Sequence, residues 1–283
     1  MMSWCHSSAR TRGALLFGCL LACGLPGCGA DQYETRLKQS KDYYNYLERI
    51  EQNLAPKWSD GRVVDAIRVP KQFQPIPAPV PVKHEDGTEE LPAVDPRQPV
   101  VVNLPFPHKE LIGAWEAPFS VVAKDGSSDT QKGYIYVLSN YWNFLDDPAE
   151  ALKFIGATVN LVGAALDDHI PPDKIENPAI EPHPKKGRYL PETLYSVFTF
   201  HPKELTLPGT ERQSKVNYTF TMYARKNVNI QAIVLVVLPD NIASQEKLVD
   251  RIPMMLEHFQ ITKTEPKPAS QSGTAPSTGP AGF

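Results

Sequence analysis

The spacing of hydrophobic positions changes several times along the chain, and each change marks a different element. Residues 13–25 (GALLFGCLLACGL) are an apolar run without charge. From Asp31 the period becomes helical. Tyr43, Leu47, Ile50 and Leu54 recur at four, three and four, which sets them on one face of a helix over 31–55. Tyr33, Leu37 and Tyr44 extend that stripe, and Glu34 and Lys38 are spaced to pair across one turn. Pro56 ends the helix. A packed helix, a partner-binding helix and a membrane-proximal stalk all fit this pattern, which has too few heptads to specify a coiled coil.

Further along, Ala117 to Val122 and Gly133 to Ser139 read as strands, joined as a hairpin across Lys124–Asp129. Asp147, Pro148 and Glu150 read as cap, first helical position and reach-back carboxylate. The helix they start runs to about Leu166, with Leu152, Ile155, Val159, Val162 and Leu166 as its buried stripe. Gly156 and Gly163 would let it approach a sheet closely. Residues 171–191 read as a long proline-rich loop. Thr193 to Phe200 alternates as a strand, and Lys215–Arg225 with Ile230–Leu238 forms a second hairpin. Ala232 to Leu238 is apolar at every position, as in a central strand covered on both faces. A last helix, capped by Ser244 and kinked at Pro253, reaches about His258. The expected fold of residues 112–263 is therefore α+β: an antiparallel five-stranded sheet flanked by helices, in the order β-β-α-β-β-β-α.

Proline divides the rest. Residues 70–107 hold ten prolines in 38 positions, which excludes a helix or a central strand there. Residues 59–111 read as a linker or surface strap, with a partner's aromatic groove as the alternative use. From 264 the Pro, Ser, Thr, Gly and Ala tail is too poor in apolar residues to fold. All four cysteines, Cys5, Cys19, Cys23 and Cys28, fall in the first 28 residues. The body thus has no disulfide framework and no thiolate site. The net charge is −3. Without the leader arginines Arg10 and Arg12 the balance is 27 basic against 32 acidic side chains, or −5. An acidic body lacks the electrostatic footprint for nucleic acid.

The leader has a positive start, an apolar centre and a small residue before a cysteine, the physical layout of a secretory signal. Leu25-Pro26-Gly27-Cys28 resembles the lipobox of bacterial lipoproteins. That resemblance implies a signal peptide over 1–27, palmitate-type acylation of Cys28, and a lipid anchor to a periplasm-facing envelope membrane, with the outer membrane favoured. Leu20-Leu21-Ala22-Cys23 is a rival lipobox, making Cys23 the alternative. The element order, with Leu248, Ile252, Leu256 and Phe259 along the closing helix, resembles the PsbP-like α/β/α sandwich. The whole chain is similar to uncharacterised envelope lipoproteins with a Tyr-rich helix after the lipid cysteine, here 28–58.

Candidate chemistry is sparse. The sequence holds no G-x-S-x-G elbow, no G-x-G-x-x-G or Walker loop and no H-E-x-x-H, so no catalytic residue, metal or cofactor is assigned. Asp167-Asp168-His169 reads as a solvated helix end, with hard-ligand or proton-transfer chemistry as the alternative, and Asp125 with Asp129 as a hairpin turn; His201 and Glu204 flank a strand end, a position that can sit at a pocket rim, and His258 is a helix-end residue. Tyr134, Tyr136 and Trp142 are the candidate binding platform, since stacked aromatics serve both cores and sugar or peptide sites. The expected function is that of a non-enzymatic binding or assembly module at the membrane. Partners would reach it through the platform, helix 31–55 or the strap. An envelope hydrolase with a site built from loops 167–190 and 201–213, and a purely structural subunit, are the alternatives.

Overall fold

The computed structural model describes residues 30–84, 88–90, 92, 95–99, 104–122, 126–185, 189–202, 205, 216–243 and 246–264. Cys23, Cys28, Asp125, Glu204, Ser244 and the tail lie outside the described residues. The chain divides into two units, Met1–Gln52 and Asn53–Phe283.

The first unit carries all but the last residue of helix α1 (Ala30–Asn53). Thr35 Oγ1 donates to Asp31 O at 2.7 Å, and Gln52 Nε2 donates to Glu48 Oε1 at 3.0 Å. The Glu34–Lys38 pair expected from spacing does not form among the described residues. Beyond the helix the chain doubles back through single bridges between Leu54 and Pro70 and between Trp58 and Ile67.

The second unit is built on β1 (Val64–Ala66), β2 (Gln74–Pro75), β3 (Val82–Lys83), β4 (Glu89–Glu90), β5 (Leu111–Val122) and β6 (Ser128–Ser139). Helices α2 (Tyr141–Asp146), α3 (Pro148–Ala151), α4 (Phe154–Leu166) and α5 (Pro172–Glu176) follow. Then come β7 (Ala179–His183), β8 (Thr193–Phe200), β9 (Tyr218–Asn227), β10 (Ile230–Pro239), α6 (Leu248–Glu257) and β11 (Gln260–Ile261). The main sheet is antiparallel, in the order β2-β5-β6-β10-β9-β8-β7. β1 pairs with β11, and β3 with β4.

The α+β class and the antiparallel sheet are as the periodicity indicates, but the sheet has seven strands rather than five. The two additional strands come from the stretches read as strap and loop. β2 is two residues long, and β7 contains Pro182. Both sit at sheet edges, where a missing amide donor breaks no ladder on the inner side. The expected hairpin strands are also longer than their apolar runs. Lys132 Nζ, for example, reaches Glu116 Oε1 at 2.8 Å across the pair.

β10 occupies the middle of the sheet. Ile230, Ala232, Val234 and Val236 face one core, shared with Val63, Ile67, Phe73, Trp115 and α6. Ile233, Leu235 and Val237 face the other, shared with Leu104, Phe106, Tyr136 and α4. Burying strand side chains of this size contributes about 1.5–3 kcal/mol each, which is why this run tolerates no polar position between Ala232 and Val237.

Asp147 caps α3 as expected, accepting from Ala149 N at 3.0 Å and Glu150 N at 3.2 Å. Glu150 does not reach back; it pairs with Lys153 Nζ at 2.6 Å. The helix then breaks at Leu152–Lys153, which leaves Leu152 49% exposed and gives its core place to Phe154. The break is held from the sheet. Gln231 Oε1 accepts from Ile155 N at 3.1 Å, and Gln231 Nε2 donates to Leu152 O at 2.8 Å. Asn140 joins the same network, donating to Ala151 O and Asn229 O and accepting from Gln231 N. A side chain 76 positions away thus supplies the cap that Lys153 does not.

The glycines of α4 do not serve the sheet. A Cβ at Gly156 would meet Ile175, and one at Gly163 would stand 3.1 Å from Asp168 O, where the chain turns back over the helix end.

The proline-rich stretch is fastened rather than loose. Asp95, whose side chain is wholly buried, accepts from Arg97 N at 2.9 Å, Nε at 3.0 Å and Nη2 at 2.8 Å. His108 Nδ1 lies 3.0 Å from Asp95 Oδ2, and Arg97 Nη1 donates to Leu111 O at 2.9 Å, the first residue of β5. Burial alone would raise the Asp95 pKa, but the Arg97 hydrogen bonds and charge, with His108, outweigh it and hold the carboxyl below its ordinary range.

Candidate functional site

A groove of about 620 Å³ lies over one face of the sheet, within the 300–1,000 Å³ range of ligand sites. Its floor is set by strand alternation. Thr219, Thr221 and Tyr223 lie on one face of β9, beside Val236 and Leu238 of β10. Residues two apart on a strand stand about 6.6–6.8 Å from each other, so three hydroxyl-bearing side chains run along the floor at the repeat of an extended polypeptide. Leu248, Val249, Ile252 and Pro253 of α6 form one wall, and Ile242 and Ala243 close an end. Val249 is 89% exposed. α6 runs through Pro253 without ending, because the carbonyl that proline leaves without a donor belongs to this exposed Val249. Asp240, Lys247 and Asp250 set mixed charge at the rim.

The groove is pinned from below. Tyr195 OH donates to Leu256 O at 2.8 Å, joining β8 to α6. Tyr195 and Tyr223 meet edge-on at 6.4 Å, and His183 of β7 stands edge-on to both, at 5.7 and 6.2 Å. His183 is 2% exposed. Glu181 Oε2 lies 3.5 Å from Nε2, and neither ring nitrogen has a hydrogen-bond partner among the described residues. Burial therefore lowers the His183 pKa, against the opposing pull of Glu181, and keeps the imidazole neutral at neutral pH. Nothing in the sequence around His183 distinguishes it from a loop histidine, because its cage comes from two strands that follow it.

At the other end, Thr219 Oγ1 donates to Asp240 Oδ1 at 2.8 Å, and His201 Nδ1 lies 3.3 Å from Thr219 Oγ1. Thr219 has one hydroxyl proton and gives it to Asp240, so His201 is the donor in its contact. That is the reverse of a base activating a nucleophile. Asp168 Oδ2 accepts from His201 N at 2.7 Å, which ties the end of α4 to the end of β8. Asp167, in the left-handed region at φ 49°, ends α4, and His169, two residues on, joins no group of three or more metal-ligating side chains among the described residues. Asp129 holds its own turn, accepting from Thr130 N and Gln131 Nε2. Burial, with Arg68 nearby, lowers the His258 pKa.

The aromatic platform is corrected. Tyr134 is 3% and Tyr136 0% exposed, stacked on each other at 5.9 Å with 14° between their rings. Phe106, from the proline-rich stretch, covers Tyr136 at 6.1 Å. Burial raises the Tyr134 pKa beyond the ordinary phenol range and that of Tyr136 well above it. Neither ring offers a face to a ligand. Trp142 is apart from them, on α2, part-exposed beneath Arg62 at 5.1 Å and edge-on to Tyr141. The structure does not bring the three together as a site.

No protein-family model, curated protein or solved structure matches this chain. Among the described residues, no helix is long and apolar enough to cross a membrane.

Proposed function

We propose that this protein is a lipid-anchored envelope protein whose second unit acts as a non-enzymatic binding module, with the groove beside α6 receiving an extended apolar segment of a partner protein. The observation that carries this reading is the groove. It has apolar walls, a row of hydroxyls at the strand repeat, and an exposed Val249 on a helix whose Leu248, Ile252, Met255 and Leu256 are packed into the core. An extended segment laid there would bury alternate side chains against Leu248, Ile252 and Leu238 while its polar groups met the Thr221 and Tyr223 hydroxyls. The anchor rests on the leader. Acyl chains contribute about 0.8 kcal/mol per buried methylene, so two or more hold a protein at a bilayer stably.

A photocrosslinking side chain at Val249 of the full chain in membranes tests the groove. A discrete adduct is expected at Val249, absent at the exposed turn residue Val228 and lost in an Ile252→Asp background. Matching adducts at both positions, or none at Val249, would refute it. Labelled palmitate tests the anchor. Incorporation should disappear in Cys28→Ser, or in Cys23→Ser if the earlier lipobox is used, and incorporation that survives both removes the anchor from the proposal.

A further inference from the structure

A second cavity of about 510 Å³ lies where the chain leaves its doubled-back segment, lined by residues of the second unit alone. Its floor is apolar and fixed. Val69, Phe73 and Trp115 are buried there, and Trp58 meets Trp115 edge-on at 5.1 Å. Two features lock that pair. Trp58 and Ile67 exchange backbone hydrogen bonds at 2.9 Å in both directions. Gly113 passes beneath the rings so closely that a Cβ would stand 2.7 Å from Trp115. Pro56 and Pro75 flank the opening, and Lys57, Lys71 and Gln74 rim it, all five exposed.

The charge of this lining is one-sided. It holds two lysines and no carboxylate. Neither Lys57 nor Lys71 makes an ion pair among the described residues, although Lys109, Lys132 and Lys153 elsewhere on the surface do. The groove beside α6 is different, with two aspartates and one lysine. The part-exposed Trp58 ring, held edge-on by the buried Trp115 and rimmed by two uncompensated ammonium groups and one amide, complements a flat apolar body that carries a negative charge at its edge. We propose that this cavity binds a small ring-bodied organic anion, with its carboxylate between Lys57 and Lys71 and its ring against the part-exposed Trp58, above the buried Trp115. The site is independent of the groove and of the anchor.

The test uses the mature chain in detergent, labelled with ¹⁵N at tryptophan, and follows the indole N–H signals as 2-naphthoate or the neutral 2-naphthalenemethanol is added. The signals of Trp58 and Trp115 are expected to move with 2-naphthoate while that of Trp142, which does not line the cavity, stays in place. Two exposed ammonium–carboxylate pairs should favour the anion over the alcohol by about tenfold. Lys57→Ser with Lys71→Ser should abolish that preference, and because both side chains are exposed and unpaired the fold should be unaffected. Still signals from Trp58 and Trp115 would overturn the proposal, as would equal affinity for the two compounds, a Trp142 shift at the same midpoint, or a preference that survives the double substitution. Binding in the groove beside α6 would leave all three indoles unmoved, so the two sites are distinguishable.

Discussion

Replacing the buried Asp95 of the proline-rich stretch should strongly destabilise the protein. The carboxylate is wholly buried and accepts from three donors of Arg97, its N, Nε and Nη2, with His108 at 3.0 Å. Asp95→Ala leaves the Arg97 guanidinium, itself nearly buried, with only the Leu111 carbonyl. Removing one partner of a buried pair costs about 3–5 kcal/mol, because the remaining charge stays out of water. Against a typical total of about 5–15 kcal/mol that is a large fraction. Urea unfolding at pH 7 measures it. The pH dependence provides a second check. The folded-state pKa of Asp95 is depressed, so its contribution is present above the unfolded value of about 3.9 and fades as pH falls through the folded one. The gap between wild type and Asp95→Ala should therefore be full at pH 7 and narrow below about pH 4. Changing both partners, Asp95→Leu with Arg97→Met, should cost less than Asp95→Ala alone, since no charge is stranded. A loss under about 1 kcal/mol for Asp95→Ala, or a gap that stays constant into acid, would refute the reasoning.

Three further outcomes are expected. Gln231→Leu removes the acceptor of Ile155 N and the donor to Leu152 O; it should cost about 1–3 kcal/mol and speed amide exchange at Ile155, and unchanged exchange there would show that the cap comes from elsewhere. Tyr136→Phe deletes a buried hydroxyl that has no hydrogen-bond partner among the described residues; stability should hold or rise by about 1 kcal/mol, and a loss of that size would reveal a hidden partner. His183 is held neutral by burial, so stability should be full above the unfolded histidine value of about 6.5 and decline as pH falls below it. A urea midpoint series in His183→Phe should lack that decline, and an identical slope in the two proteins would contradict the cage.

What the sequence discloses of this fold follows a physical rule. β10 is legible, down to its central place, because its run from Ala232 to Leu238, covered on both faces, has no polar position to confuse its period. The flanking strands of both hairpins are legible for a similar reason, and Asp147 because its bonds are to its own neighbours. β2 and β7 are not. Edge strands need only one good side, so Pro75 and Pro182 are tolerated and the segments read as loop. The break at Leu152–Lys153 is set by Gln231, and the clip by Arg97 reaching Leu111. Neither leaves a local trace. Tyr134 and Tyr136 show the same limit, since alternating tyrosines look alike whether a sheet face is open or covered. The covering residue, Phe106, lies in a stretch whose composition suggests that it packs against nothing. The groove beside α6 and the lysine-rimmed cavity are likewise invisible in the sequence, each assembled from three or more separated segments.

Phe106 and the Asp95 clip also bear on how this protein can be shortened. The proline-rich stretch looks like a seam at which a tether could be parted from its cargo, yet it supplies Leu104 and Phe106 to one core and fastens the first residue of β5. A version begun at the strand hairpin would uncover the Tyr134–Tyr136 stack and a margin of its own interior. The body cannot be released by trimming at its prolines; what resembles a leash is one wall of the house.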